Sequence, residues 1–395
     1  MKQAKILFLI TFCLLSLVLA SCVPGGAQPA QGWAGTASND GVLYVGTRDG
    51  NVVAVNSSNG DVEWSHTITI PSSGMSCGQT STPAAIYSTP IVDGDMVYIG
   101  SYSGKVLALN TLARSQDLLF PQKRYGEWEW DCPRTNKGSN AIVADLAMSE
   151  DAIYVTSSNG KVYSLDKEFG DSNWKEPPVL DAKLWTSPLI QGDTIYVSTF
   201  DGHIHTLSAE TGDLLPWAFE SEVGFVSSPV IYEDTIFVGS FDNNLCAISI
   251  GDSEPSWRFP GGKWFWAASV VNEGVVYAGC LDGKIYAINA GTGEELWRFD
   301  AGSPIVSSPI LVDNLLIVAT ESGNVYVINP ESGDGERIKN PENGNRQTIN
   351  AQIRASLFAH EGMVYIHAQD DHLYPVDIEQ RKIGEPFSLT IKAES

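Results

Sequence analysis

A four-strand pattern repeated eight times at a period near forty residues predicts an all-β fold, a single eight-bladed β-propeller with four antiparallel strands per blade. Two further observations agree with it. The 395-residue chain holds 37 Gly, 20 Pro, 11 Trp and 14 Tyr, a composition of short strands and tight turns rather than of helices. Its 43% hydrophobic fraction is too high for a disordered chain.

The first element is an address. Lys2 and Lys5 precede an apolar run from Ile6 to Ala20, too short to span a membrane comfortably but suited to a signal-peptide core. Leu19-Ala20-Ser21-Cys22 follows and resembles a bacterial lipobox. The resemblance implies that residues 1–21 are a lipoprotein signal peptide and that the thiol of Cys22 carries a diacylglyceryl group. Two or three acyl chains anchor a protein stably where one is marginal. Residues 22–31 have no periodicity and read as a flexible tether from the lipidated cysteine, so the propeller occupies residues 32–395. The expected location is extracytoplasmic and lipid-anchored. Position 23 is Val rather than Asp, which resembles sorting to the outer membrane where the organism has one. Otherwise the anchor would stay in the outer leaflet of the cell membrane.

The clearest repeat unit runs Ser227-Ser228-Pro229-Val230-Ile231, Thr235-Ile236-Phe237-Val238-Gly239, Asn244-Leu245-Cys246-Ala247-Ile248-Ser249 and Trp257-Arg258-Phe259. These four segments, A to D, are short, β-branched or aromatic, and bounded by turn residues. The centre of strand B recurs at Tyr44, Tyr98, Tyr154, Tyr196, Phe237, Tyr277, Ile317 and Tyr365, at spacings of 54, 56, 42, 41, 40, 40 and 48. Strand B turns into strand C at Asp49-Gly50, Ser103-Gly104, Asn159-Gly160, Asp201-Gly202, Asp282-Gly283 and Ser322-Gly323, where Gly supplies a positive φ. Asp242-Asn243 and Asp370-Asp371 replace that pair in blades 5 and 8. Each blade is contiguous, so blade 1, starting near Trp33 to Ala37, closes against blade 8, ending in a strand over Glu385 to Ile391.

Between strands C and D a second signature recurs. Blade 6 reads Ala287-Ile288-Asn289-Ala290-Gly291-Thr292-Gly293-Glu294-Glu295-Leu296-Trp297, and blade 1 reads Ala54-Val55-Asn56-Ser57-Ser58-Asn59-Gly60-Asp61-Val62-Glu63-Trp64. This resembles the tryptophan-docking motif of pyrroloquinoline-quinone-like (PQQ-like) propellers. The resemblance covers roughly residues 33–392 and implies docking roles for Trp64, Trp174, Trp217, Trp257 and Trp297. A buried indole contributes large apolar area against the neighbouring blade. Blades 2, 7 and 8 have Leu118, Arg337 and Glu385 at that spacing, so weaker docking is expected there.

The period is broken by insertions at 71–86, 121–143 and 339–352, all expected in D-to-A connections on one face. Function concentrates on loops carried by a rigid scaffold. Cys77 and Cys132 fall in the two longer insertions, and outside the cytoplasm a Cys77–Cys132 disulfide is expected. Cys246 and Cys280 lie in strands and read as small buried residues. The residues entering strand A on this face are Trp33, Tyr87, Val143, Trp185, Val226, Trp266, Val306 and Arg354. Trp, Tyr and Arg dominate binding energy at interfaces. The candidate binding mouth is therefore Trp33, Tyr87, Trp185, Trp266 and Arg354, with Trp128, Trp130, Trp264 and Phe225 from the same loops. The same rings could instead pack the inserted loops onto the body.

The net charge of −23 excludes a nucleic-acid-binding surface, which needs clustered basic charge. The expected partners are membrane lipid through Cys22 and envelope proteins, with the propeller itself a monomer. No catalytic residue, metal site or cofactor is expected. His203 and His205 share one strand side, and His360, His367 and His372 share blade 8, but neither group makes a complete ligand set. Quinoprotein dehydrogenases of this propeller type carry an adjacent-cysteine disulfide and a calcium-binding carboxylate set. This chain has no Cys-Cys pair. Length, lipobox and blade number together resemble the BamB-type propeller lipoproteins of the outer-membrane β-barrel assembly machinery. That resemblance implies a non-catalytic, lipid-anchored interaction scaffold. A ligand- or glycan-binding sensor and a PQQ-dependent quinoprotein dehydrogenase are the two alternatives.

Overall fold

The computed structural model describes residues 32–70, 82–114, 126–133, 139–344 and 346–390. Eight antiparallel sheets follow one another along the chain and form an eight-bladed propeller. Blade 1 is Thr36–Asn39, Val42–Gly46, Asn51–Asn56 and Val62–Thr67, and the same A-to-D order recurs through blade 7, ending at Gly335–Arg337, with blade 3 alone lacking strand D among the described residues. Strand B is buried along most of its length in every blade because it packs between two neighbouring sheets. Its side chains join eight apolar clusters, most of which bridge adjacent blades; Leu43 and Val45 of blade 1, for example, cluster with Tyr365 of blade 8. The B-to-C turns hold their glycines at positive φ, and Asn243 and Asp371 adopt the same left-handed region at φ 69° and 57° in blades 5 and 8.

Four sequence expectations are corrected by the sheet registers. The first strand A is Thr36–Asn39 rather than Trp33 to Ala37. The last blade ends not in one strand over Glu385 to Ile391 but in two short pieces, Lys382–Ile383 and Phe387–Ser388, both paired with His372–Asp377. Pro386 cannot donate to a ladder, and the strand is broken beside it. Blade 3 has three strands; its outer segment forms no fourth strand and meets strand C at the isolated Lys161–Val179 and Leu165–Ser172 bridges and at a hydrogen bond from the Asn173 N–H to the Ser164 carbonyl. Pro177 and Pro178 remove two donors from that segment.

The fourth correction moves an insertion. Trp128–Asp131 pairs with Lys105–Asn110 and is strand D of blade 2. The extra length near 121–143 is therefore divided. A helical turn at Thr111–Arg114 follows strand C, Trp128–Asp131 is the next described strand, and only the part after Asp131 leads to strand A of blade 3. The other two insertions do lie between strands D and A. One is bracketed by a small hairpin, Thr69–Ile70 with Thr82–Pro83, and the other carries the turn Pro341–Asn343, whose Asn340 side chain accepts from the Glu342 N–H.

Candidate functional site

Two arcs of aromatic side chains cover the face where D-to-A and B-to-C connections emerge. In the first, Trp33 meets Tyr87 edge-to-face with centroids 4.6 Å apart, and Tyr87 meets Tyr102 at 5.6 Å. The Arg354 guanidinium lies 5.8 Å over Trp33 and bonds Glu321 at 2.6 Å. In the second arc Trp185, Phe200, Phe241 and Trp264 follow one another at 5.5, 5.4 and 5.2 Å, each pair edge-to-face. Such pairs exceed simple area burial by about 0.5–1.5 kcal/mol. Backbone and hydroxyl partners fix the ends: Trp185 Nε1–H donates to Ser158 Oγ at 3.0 Å and Trp264 Nε1–H to the Phe241 carbonyl at 2.9 Å. Lys183 stands 5.8 Å over Trp185, and Trp266 is 40% exposed. A rigid scaffold thus presents half-buried rings and cations to solvent.

The structure brings Trp33, Tyr87, Arg354, Trp185, Trp264 and Trp266 to this face. It removes three expected members. Trp128 and Trp130 lie on strand D of blade 2, on the outer wall, and Phe225 is buried against Phe219. Tyr102, Phe200 and Phe241 were not expected. All three sit at the first residue of a B-to-C turn, in Tyr102-Ser103-Gly104, Phe200-Asp201-Gly202 and Phe241-Asp242-Asn243, so aligning the repeats would have found them. Inside the ring, the Thr89 N–H donates to Asp145 Oδ1, the Asp145 N–H to Ser187 Oγ and the Ser187 N–H to Ser228 Oγ, at 2.6, 3.1 and 3.0 Å. These bonds tie the starts of four successive A strands together. Desolvation pushes the Asp145 carboxyl above its usual range, against the hydrogen bonds from Thr89.

Docking residues form the second structural set. The indole N–H groups of Trp174, Trp217, Trp257 and Trp297 donate to carbonyls of Ala209, Asp252, Ala290 and Pro330 in the next blade, at 3.2, 3.1, 2.9 and 2.9 Å. Trp64 is 8% exposed and packs on Tyr44. Trp128 does the same work for blade 2: its N–H donates to the Lys167 carbonyl at 3.0 Å, and its ring covers Gly170. Leu118, which the fixed spacing selects, lies outside the described residues.

Among the described residues, Cys132, Cys246 and Cys280 are buried thiols. Cys132 contacts Ser157 Oγ at 3.4 Å and Asn159 Nδ2 at 3.3 Å; Cys77 and Cys22 lie outside the described residues. The histidines do not converge. His203 and His205 stack at 5.3 Å beside Asp201, while His367 is buried against the Ala34 carbonyl and His372 caps its own turn. Among the described residues, no three or more His, Cys, Asp or Glu side chains form a metal-sized cluster.

Comparison with known proteins agrees with this architecture. A family model described as outer membrane protein assembly factor BamB matches residues 24–176, 176–263 and 257–336. The chain is 27% identical over 176 residues to a BamB of Legionella pneumophila (strain Paris), covering 45% of this chain and 40% of that protein. It is 25% identical over 163 residues to a BamB of Shewanella oneidensis, covering 41% of this chain and 36% of the relative. The matched segments thus span less than half of those relatives. The crystal structure of BamB from Moraxella catarrhalis superimposes with a TM-score of 0.62 at 18% identity, covering 85% of this chain and 91% of that one. The computationally designed Ika8 protein superimposes with a TM-score of 0.66 at 14% identity, covering 88% and 96%. At those identities the structural likeness is one of fold. The family match extends over most of the chain, and the chain belongs to the family described as outer membrane protein assembly factor BamB.

Proposed function

We propose that this protein is a non-catalytic, lipid-anchored scaffold of the cell envelope that assists outer-membrane β-barrel assembly. It binds a soluble domain of a membrane partner through the loop face. The observation that carries this reading is the arc Trp185, Phe200, Phe241 and Trp264, flanked by Lys183 and the exposed Trp266. Rings held edge-to-face on a rigid support lose little entropy on binding and offer large contact area. Family membership supports the assembly role, and the Leu19-Ala20-Ser21-Cys22 run supports the anchor. The expected Cys77–Cys132 bridge would tether two loops of the same face.

The test is a mild-detergent pull-down of the full-length protein from its native membranes, beside a Trp185→Ala/Trp266→Ala variant. One stoichiometric membrane partner, recovered with the wild type and lost with a folded variant, is expected. Absence of any partner with the wild type would overturn the scaffold reading. Dye reduction on adding pyrroloquinoline quinone and calcium would overturn its non-catalytic part.

A further inference from the structure

The chain enters the propeller on the loop face, and the residues ahead of the first strand are wedged there. Gly32 has no room for a side chain, because a Cβ would stand 1.9 Å from the Ile86 carbonyl oxygen in the connection into blade 2. Trp33 lies between the Tyr87 ring at 4.6 Å and the Arg354 guanidinium at 5.8 Å. The Ala34 carbonyl oxygen is 2.9 Å from Nδ1 of His367 in blade 8. A Cβ on Gly35 would stand 2.6 Å from Thr89 Oγ1 in blade 2. Residues 32–35 are thus held from both neighbouring blades before strand A of blade 1 begins at Thr36. Arg48 and Asp371, from the B-to-C turns of blades 1 and 8, border the same spot.

This entry point lies near the propeller axis. Strand A is the innermost strand, since bonds from Thr89, Asp145 and Ser187 tie the A strands of successive blades to one another. Strand geometry then fixes the distances. Three spacings of about 4.8 Å separate strand A from the outer strand D, so the rim is about 14 Å away. The opposite face lies at least one strand length below, and Asn51–Asn56 alone rises about 17 Å. A path from Gly32 over the rim to the opposite face therefore covers about 31 Å. Ten residues link Gly32 to Cys22, and fully extended they reach at most about 33–36 Å. A flexible coil of ten residues spans only about 16–19 Å. A bilayer holding Cys22 could lie against the opposite face only with that link drawn taut, whereas it meets the loop face at ordinary extension.

We propose that lipidation of Cys22 turns the loop face toward the membrane, so that the aromatic arcs open onto a narrow gap beside the bilayer and receive a partner domain that adjoins the same membrane. The orientation rests on the lipid anchor proposed above, and it fixes which side of the propeller the partner approaches. Full-length protein carrying Cys77→Ser is reconstituted into vesicles with a trace of rhodamine-labelled lipid. A fluorescein donor is attached at Glu222→Cys, in the D-to-A connection into blade 5, or at Asp234→Cys, in the A-to-B turn of the same blade on the opposite face; both positions are exposed. Cys132, Cys246 and Cys280 are buried and stay unlabelled in the folded protein. Higher energy transfer to the lipid acceptor is expected from Glu222→Cys than from Asp234→Cys. Inserting about twenty Gly/Ser residues after Gln31 should shrink that difference, because a coil of about thirty residues spans about 27–33 Å. Intact mass and flotation with the vesicles read the anchor separately. Protein that is not acylated or does not float overturns the anchor, and the orientation with it. Acylated, floating protein with equal transfer from the two positions, with higher transfer from Asp234→Cys, or with a difference that the longer tether leaves unchanged overturns the orientation alone.

Discussion

Phe387 lies over Gly60 at the seam between the last blade and the first: a Cβ on Gly60 would stand 2.3 Å from the ring's Cδ1. Gly60 occupies the turn position that Gly293 and Gly333 hold under Trp257 and Trp297. Phe387 is therefore the docking ring of blade 8, displaced along the chain by the break at Pro386. Among the described residues, blade 8 meets blade 1 through side-chain packing, and each blade's strands come from one stretch of the chain.

This contact makes the closing seam sensitive to either partner. Gly60 sits at φ 76°, so Gly60→Ala suffers both backbone strain and a clash with the ring. We expect it to lower stability by about 1–3 kcal/mol, and Phe387→Ala by about 2–3, below the 3–5 typical of fully buried rings. Chemical denaturation measures both. Unchanged midpoints would mean that the apolar cluster around Leu43 and Tyr365 closes the ring without this contact.

Trp128 and Trp130 separate packing from binding. Trp128 is 8% exposed and bonded to the next blade, so Trp128→Ala should cost about 3–5 kcal/mol. Trp130 packs at 4.9 Å on Tyr163 and is less buried, so its replacement should cost roughly half as much. Neither replacement should reduce partner recovery in a folded sample. Partner loss on Trp130→Ala with an intact fold would move the binding surface to the outer wall of blade 2.

The blade 8 to blade 1 seam also carries a titrating group. Burial holds His367 below the usual imidazole range, against the bond to Ala34 and the nearby Asp371. The folded state therefore binds fewer protons than the unfolded chain near pH 6.5, and stability from this group is lost as pH falls through that range. Burial raises Asp371, which acts with the opposite sign at lower pH. A His367→Gln variant should lose less melting temperature than the wild type between about pH 7.5 and about pH 5.5. Parallel pH profiles would sink the assignment.

The cysteines should divide by position. Burial pushes the Cys246 thiol up, and that of Cys280 to about 11, so both should alkylate only on unfolding. Cys77 and Cys132 should be recovered as one linked peptide from a non-reducing digest of protein exported from the cytoplasm. Free alkylation of Cys77 in the native, unreduced protein would rule the bridge out.

The amino-acid sequence by itself determined the repeat, the blade number and most seams. Strand B centres, B-to-C turns and the docking residues Trp64, Trp174, Trp217, Trp257 and Trp297 recur at nearly constant spacing, because each blade repeats one local solution of strand and turn. Arg354, Trp33 and Tyr87 were legible as neighbours on one face for the same reason. What only the tertiary structure decided lies where that spacing changes. Trp128 docks blade 2 although a long C-to-D connection displaces it, and Phe387 docks blade 8 beyond a broken strand. Glu336 and Arg381 meet where the spacing pointed to Arg337 alone. Sequence distance counts loop residues, but side-chain position is set by the hydrogen-bonded partner strand. A change in loop length or a break in a strand alters the first without altering the second.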